Sequence, residues 1–196
     1  MDLFFDTETS GLINFKAPNS HSSQPWIVQL AAILSTKDRI YGSLNCLLKP
    51  LQSDWTITQG AYEAHKISIE DVNTYGLEGR IGLGIFTDLA SMSTTMIAHN
   101  NEFDWRLLDI MATRLESINQ IILMELKKKS QVCTMKSTTE LCKLPATFKG
   151  RGKYKWPKLE ELHRHLFKCD FNAHDAMEDV KATRRCYYKL VEERLI

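Results

Sequence analysis

Asp6 and Glu8 stand two residues apart, directly after the apolar run Leu3-Phe4-Phe5. In a strand that spacing sends both side chains from one face, so two carboxylates leave the sheet side by side. Like charges in a poorly solvated place raise each other's pKa, and a bound divalent cation reverses that penalty. A third acid, Asp104, comes after the apolar stretch from Thr95 to Ala98 and falls in the first turn of an amphipathic helix. A fourth, Asp179, lies in HDAMEDVKAT, beside the apolar stripe of the last helix and five residues after His174. Each piece alone has an ordinary explanation: acids ending a strand, a helix-dipole partner, a surface histidine, Asp175 as an N-cap and Glu178 facing solvent. In this order and together they suit a two-metal phosphoryl-transfer site. Hard oxygen ligands favour magnesium or manganese, and the lack of a His/Cys ligand set argues against zinc.

Placing these groups requires a sheet. The run at Leu3, the stretch from Trp26 to Leu34 and the stretch from Arg39 to Leu48 read as three strands, with Lys37-Asp38 as a hairpin turn. Residues 13–25, polar and rich in Ser and Pro, read either as a mobile connection or as a flap that touches substrate. From Ile57 to Val72 the chain reads as loop and short helix, with Ser68 as an N-cap. Helices are expected from Arg80 to Ser91, Glu102 to Leu115, Lys158 to Phe167 and Asp175 to Arg194. Short strands are expected from Thr95 to Ala98 and at Val132-Cys133-Thr134. A meander of strands and then alternating helix and strand predicts an α/β fold: a mixed five-stranded sheet flanked by helices. No repeat or linker divides the chain, so residues 1–196 are expected to form a single domain.

Composition sets bounds rather than a function. At 196 residues, 43% hydrophobic and 25% charged, with a formal net charge of +1, the chain neither demands nor forbids a polyanionic partner. Any grip on nucleic acid must come from a local basic patch. The best candidate runs from Lys149 to Lys158, where Lys149, Arg151 and Lys153 alternate with Tyr154 and Trp156 and no acid intervenes. Basic groups there can meet phosphates while the rings stack on bases, and the alternative is a solvated loop. Lys127-Lys128-Lys129 reads as solvated surface. Five cysteines, with no CxxC pair and no secretory leader before them, argue for reduced thiols. No run reaches the roughly 18 apolar residues of a membrane span, so a soluble cytoplasmic protein is expected.

The motifs resemble, in order, those of the DnaQ-like (DEDDh) exonucleases of the ribonuclease H-like fold. FFDTETSGL carries Asp6 and Glu8, and IAHNNEFD carries Asp104. HDAMED, the shorter His-x-Ala-x-x-Asp form, carries His174 and Asp179. VQLAAI, AHKIS and VCTMKST extend the resemblance over nearly the whole chain, and His65-Lys66-Ile67 stands where His-Gly-Ile is common. The resemblance implies a 3′-to-5′ exonuclease that releases 5′-mononucleotides. Two Mg²⁺ or Mn²⁺ ions would be held by Asp6, Glu8, Asp104 and Asp179, with His174 as general base. It further implies that Thr7, Gly11 and Leu12 meet the terminal nucleotide, with His65, Asn100 and Phe103 in the same pocket. The expected partner is a nucleic acid with a free 3′ end, with single-stranded DNA preferred, in a proofreading or repair setting that can include a polymerase. An exoribonuclease of the RNase T or oligoribonuclease type shares these catalytic residues. A catalytically inert binding module would have lost one of them.

Overall fold

A computed structural model of the chain describes residues 1–116, 119–146 and 153–196. The elements run in the order β1 (Asp2–Thr9), β2 (Ile27–Ser35), β3 (Ile40–Lys49), α1 (Gln59–His65), α2 (Ile69–Tyr75), β4 (Leu77–Glu78) and α3 (Gly79–Ser91). They continue with β5 (Thr95–Ala98), α4 (Asn101–Arg114), α5 (Asn119–Leu126), β6 (Ser130–Cys133), α6 (Thr134–Ser137), α7 (Thr139–Cys142), α8 (Leu159–Phe167) and α9 (Ala176–Glu192). Among the described residues the strands form one sheet in the order β4-β3-β2-β1-β5-β6. β1, β2 and β3 pair antiparallel, while β5 runs parallel to both β1 and β6. The five expected strands are all present. A sixth, the two-residue β4, adds an edge beside Leu48 and Lys49 that its length hid from sequence reading.

The sheet is covered on both faces, and β2 is buried at every position as a result. Alternation along β1 sorts its side chains between the two layers. Leu3 and Phe5 pack in the larger core, where Phe5 meets Phe86 and Trp105 edge-on at ring separations of 5.6 and 5.3 Å. Phe4 points the other way, against Ala176 and Val180 and the rings of Tyr187 and Tyr188. The same parity, carried on along the strand, turns Asp6 and Glu8 toward α9 and Thr7 toward α4.

Three glycines lie in α3, two of them within the helix expected from Arg80, and packing explains the first of that pair. A Cβ on Gly82 would overlap Leu48 Cδ2, so the helix approaches β3 only without a side chain there. Lys128 is exposed, as expected of solvated surface, whereas Lys127 and Lys129 are half-buried and engaged. Lys129 Nζ donates to the carbonyls of Ala90, Ser91 and Ser93 at 2.6–2.8 Å. It thereby bridges carbonyls at the C-terminal end of α3 and just beyond it, where a cation also meets the negative end of the helix dipole. Lys127 pairs with Asp109 and Lys128 with Glu125. Among the described residues no helix is long and apolar enough to cross a membrane.

Candidate active site

Three carboxylates converge where β1 ends. Asp6, Glu8 and Asp179 each offer an oxygen, and these oxygens all lie within 4.8 Å of one another. Asp179 occupies the first turn of α9, and its Oδ2 accepts from the His174 backbone N–H at 3.4 Å. Its Oδ1 is buried and has no hydrogen-bond partner. Asp104, 2% exposed, reaches the same strand end from the opposite face, where its Oδ1 accepts from the Thr7 hydroxyl at 2.7 Å. It stands outside the close trio, yet its charge acts on both Asp6 and Glu8.

The electrostatics reflect that crowding. Burial, then repulsion from Asp179 and Asp104, pushes the Glu8 carboxyl up to about 8. Burial chiefly lifts Asp179 to about 7. Asp104 also rises to about 7 through burial, against the opposing pull of the Thr7 hydrogen bond. Asp6 lies well above the ordinary carboxylate range, first from burial and then from its acidic neighbours. The charges that act on Asp6 and Glu8 are all acidic, with no lysine or arginine among them to compensate. An orphaned buried carboxylate oxygen amid oxygen-only ligands is what a hard divalent cation satisfies, so the residues fit such an ion.

The elements that aim these groups are fastened by long-range bonds. Asp175 caps α9, as its sequence position allowed, by accepting from the N–H groups of Met177 and Glu178 at 3.0 and 3.1 Å. Gln29, paired with Glu8 across the β1–β2 ladder, donates to Asp175 Oδ2 at 3.1 Å and accepts from Ala176 N–H at 3.1 Å. The helix carrying Asp179 is thus pinned to the sheet beside Glu8. Gln29 was missed in sequence reading, although a lone amide inside the apolar VQLAAI is the signal that marks it. His174 adopts a left-handed backbone at φ 70°, and its half-exposed ring places Nε2 3.6 Å from Glu160 Oε1 of α8.

The expected substrate contacts divide into those that face open space and those already engaged. Leu12 is 88% exposed. Gly11 is buried, and its carbonyl accepts from the Thr9 hydroxyl at 2.7 Å. Beside them lies a cleft of about 360 Å³ shared with Pro25, Trp55 and Thr58. Thr7 commits its hydroxyl to Asp104. His65 is buried with both ring nitrogens engaged: Nδ1 accepts from Ile67 N–H at 2.9 Å, and Nε2 donates to the Thr9 carbonyl at 3.1 Å. Burial lowers its pKa, so the ring is neutral and acts as a brace. Lys66 takes the left-handed turn that a glycine would make without strain, at φ 61°. Asn100, also left-handed at φ 73°, links β5 to α4, and Phe103 packs partly against the main core.

Residues 13–25 form a loop gathered by hydrogen bonds around one side chain. Gln24, 3% exposed, donates to the carbonyls of Asn14, Ala17 and Pro18 and accepts from Asn14 N–H. Arg114 closes the far end, stacked 3.4 Å from the Trp26 ring centre and donating to the Gln24 carbonyl. In the basic segment, Lys153 and Trp156 are exposed, while Lys149 and Arg151 lie outside the described residues.

Residues 3–187 match the model of the exonuclease family of RNase T type. Among solved structures, E. coli exonuclease I in complex with a dA16 oligonucleotide is similar at a TM-score of 0.70 and 20% identity, covering 99% of this chain and 41% of that one. The zinc-bound form of the E. coli exonuclease I–single-stranded DNA complex gives 0.72 and 24%, over 98% and 40%. A further exonuclease I structure gives 0.73 and 22%, over 99% and 42%. These likenesses establish the ribonuclease H-like fold, and this chain spans about two fifths of the length of exonuclease I. Comparison with curated proteins gave no match.

Proposed function

The chain belongs to the exonuclease family, and from that premise we propose that it is a divalent-metal-dependent 3′-to-5′ exonuclease acting on single-stranded DNA. The observation that carries the reading is the meeting of Asp6, Glu8 and Asp179 within 4.8 Å, with the buried Asp179 Oδ1 left unpartnered. Two Mg²⁺ or Mn²⁺ ions held by Asp6, Glu8, Asp104 and Asp179 would supply activation of a water and neutralisation of the leaving 3′ oxygen.

The chain's own residues have distinct tasks in this reading. The four acids, raised in pKa by burial and mutual repulsion, share protons at neutral pH and surrender them when cations bind. Thr7 holds Asp104 in one rotamer so that it approaches the strand end from the α4 side. His174, on a strained backbone tied to Asp179, accepts the proton of the attacking water. Leu12 and the backbone around Gly11 receive the terminal nucleotide. Substrate choice is supported by the neighbouring fold, since the solved exonuclease I structures include complexes with single-stranded oligonucleotides.

The test is release of 5′-mononucleotides from end-labelled single-stranded DNA, duplex DNA and RNA of one sequence. Activity should require Mg²⁺ and disappear in Asp104→Ala and in Asp179→Ala. Full activity in excess chelator, or in both variants, refutes the mechanism. A faster rate on RNA than on DNA moves the substrate to the exoribonuclease alternative.

A further inference from the structure

One half-buried histidine, His99, has no part in the reaction above. It directly follows β5, and its Nε2 lies 2.9 Å from the Pro157 carbonyl while Nδ1 lies 3.0 Å from the Thr134 hydroxyl. A carbonyl only accepts, so Nε2 carries the proton and Nδ1 accepts from the threonine. Burial lowers the pKa of the ring, in keeping with that neutral form. His99 thus ties three pieces together: the strand leading to Asn100, the start of α6 and the segment 153–158.

That segment presents a tryptophan to solvent. Trp156 is 61% exposed, whereas Trp26, Trp55 and Trp105 are 7–8% exposed. Its neighbours are held firmly: Lys155 N–H donates to the Leu144 carbonyl at 2.9 Å, and Lys155 Nζ pairs with Glu161 at 2.6 Å. Lys136 Nζ stands 6.0 Å from the Trp156 ring centre and 2.5 Å from Glu102 Oε1. Glu160, four residues beyond Trp156 in α8, lies 3.6 Å from His174 Nε2, and its charge acts on both Asp179 and His99. The segment that carries the indole therefore runs beside the carboxylate site. A large ring kept in water on a fixed backbone offers a flat face, and base–aromatic stacking on such a face tolerates any sequence. A duplex keeps its bases stacked on one another and offers no free face.

We propose that Trp156 is a stacking platform for one unpaired base of the strand entering the site, and that His99 is the positioning residue that holds it there. The proposal rests on the exonuclease reading and deepens it, because it makes an unpaired strand the preferred substrate. It is tested by kcat/KM on a short single-stranded DNA and on a nucleoside 5′-monophosphate p-nitrophenyl ester, which supplies a terminal nucleotide and no base beyond it. The ratio of the two should fall about tenfold in Trp156→Ala, by the usual worth of one stacked base. His99→Phe should lower the ratio similarly, and the double variant should fall no further than Trp156→Ala. His99→Gln, whose amide can still donate to Pro157, should stay nearer to wild type. Equal losses on both substrates in His99→Phe, or additive losses in the double variant, overturn the proposal. A wild-type chain inactive on both substrates fails the exonuclease reading itself and overturns the platform with it. Should His99→Phe not fold, acrylamide quenching of the wild type decides: single-stranded DNA should shield the exposed indole and duplex DNA should not. Equal shielding, or none, counts against the platform.

Discussion

Replacing Glu8 by glutamine should stabilise the metal-free fold at alkaline pH while destroying activity. The carboxyl of Glu8 rises from 4.5 to about 8 on folding, through burial and repulsion from Asp179 and Asp104. A raised folded pKa means that the native state holds the proton more tightly than the unfolded chain. That contribution is fully present below pH 4.5 and is lost as pH rises through 8. At 1.36 kcal/mol per pKa unit, ionising Glu8 in place costs about 5 kcal/mol. Glutamine removes the charge but leaves an amide in a site built for cations, which offsets about 1–3 kcal/mol of that relief. A net gain of about 2–4 kcal/mol is therefore expected at about pH 8.5, turning to a net loss of about 1–3 kcal/mol at about pH 4.5, where only the cost of the amide remains. Urea denaturation in chelator at both pH values measures it. Saturating Mg²⁺ should then close the gap, because a ligand at about a hundred times its Kd adds about 2.7 kcal/mol to the wild type. If the variant is no more stable than wild type at the higher pH, or the difference is the same at both, the four acids are not in electrostatic conflict and no cation is needed to relieve them.

Three further outcomes concern single residues. Lys66→Gly relieves a left-handed lysine at φ 61° and should raise stability by about 1 kcal/mol without loss of activity, read by chemical denaturation and by nucleotide release. Gln24→Ala removes the side-chain donor to the carbonyls of residues 14, 17 and 18, of which Asn14 and Pro18 still accept from the backbone N–H groups of Ala17 and His21. It should cost about 2 kcal/mol and open residues 13–25 to limited proteolysis; an unchanged cleavage pattern would show that the loop is braced elsewhere. His174→Ala should lower kcat roughly 10²–10⁴-fold, measured at saturating Mg²⁺, and a near-wild-type rate would move the base to another group.

What the sequence made legible was whatever depends on neighbours along the chain. The two-residue spacing of Asp6 and Glu8 placed them on one face, and the hydrophobic stripes of α4 and α9 located Asp104 in a first helical turn and Asp179 beside the apolar face of the last helix. Ser68 reads as an N-cap and forms a capping box with Asp71. The short helices α6 and α7 and the two-residue β4 are too brief to leave a periodic trace. The roles of Gln29, Gln24, Lys129 and His99 were hidden for a different reason. Each satisfies backbone or side-chain groups that only the fold brings near, such as Gln29 and Asp175, which are 146 positions apart. A polar residue in an apolar run signals that it has a partner, and not which one.

The site draws its parts from both ends of the chain: Asp6 and Glu8 stand near the start, and Asp179 on α9 near the close. Gln29 and Asp175 form the clasp between them. No shorter stretch of the polypeptide holds the trio, so a nascent or partly unfolded chain carries scattered acids with ordinary affinities. In the proposed reading, cation binding is thereby interlocked with the docking of α9 on β1. The site is built only once that helix is in place, and it is lost at the first step of unfolding that releases it.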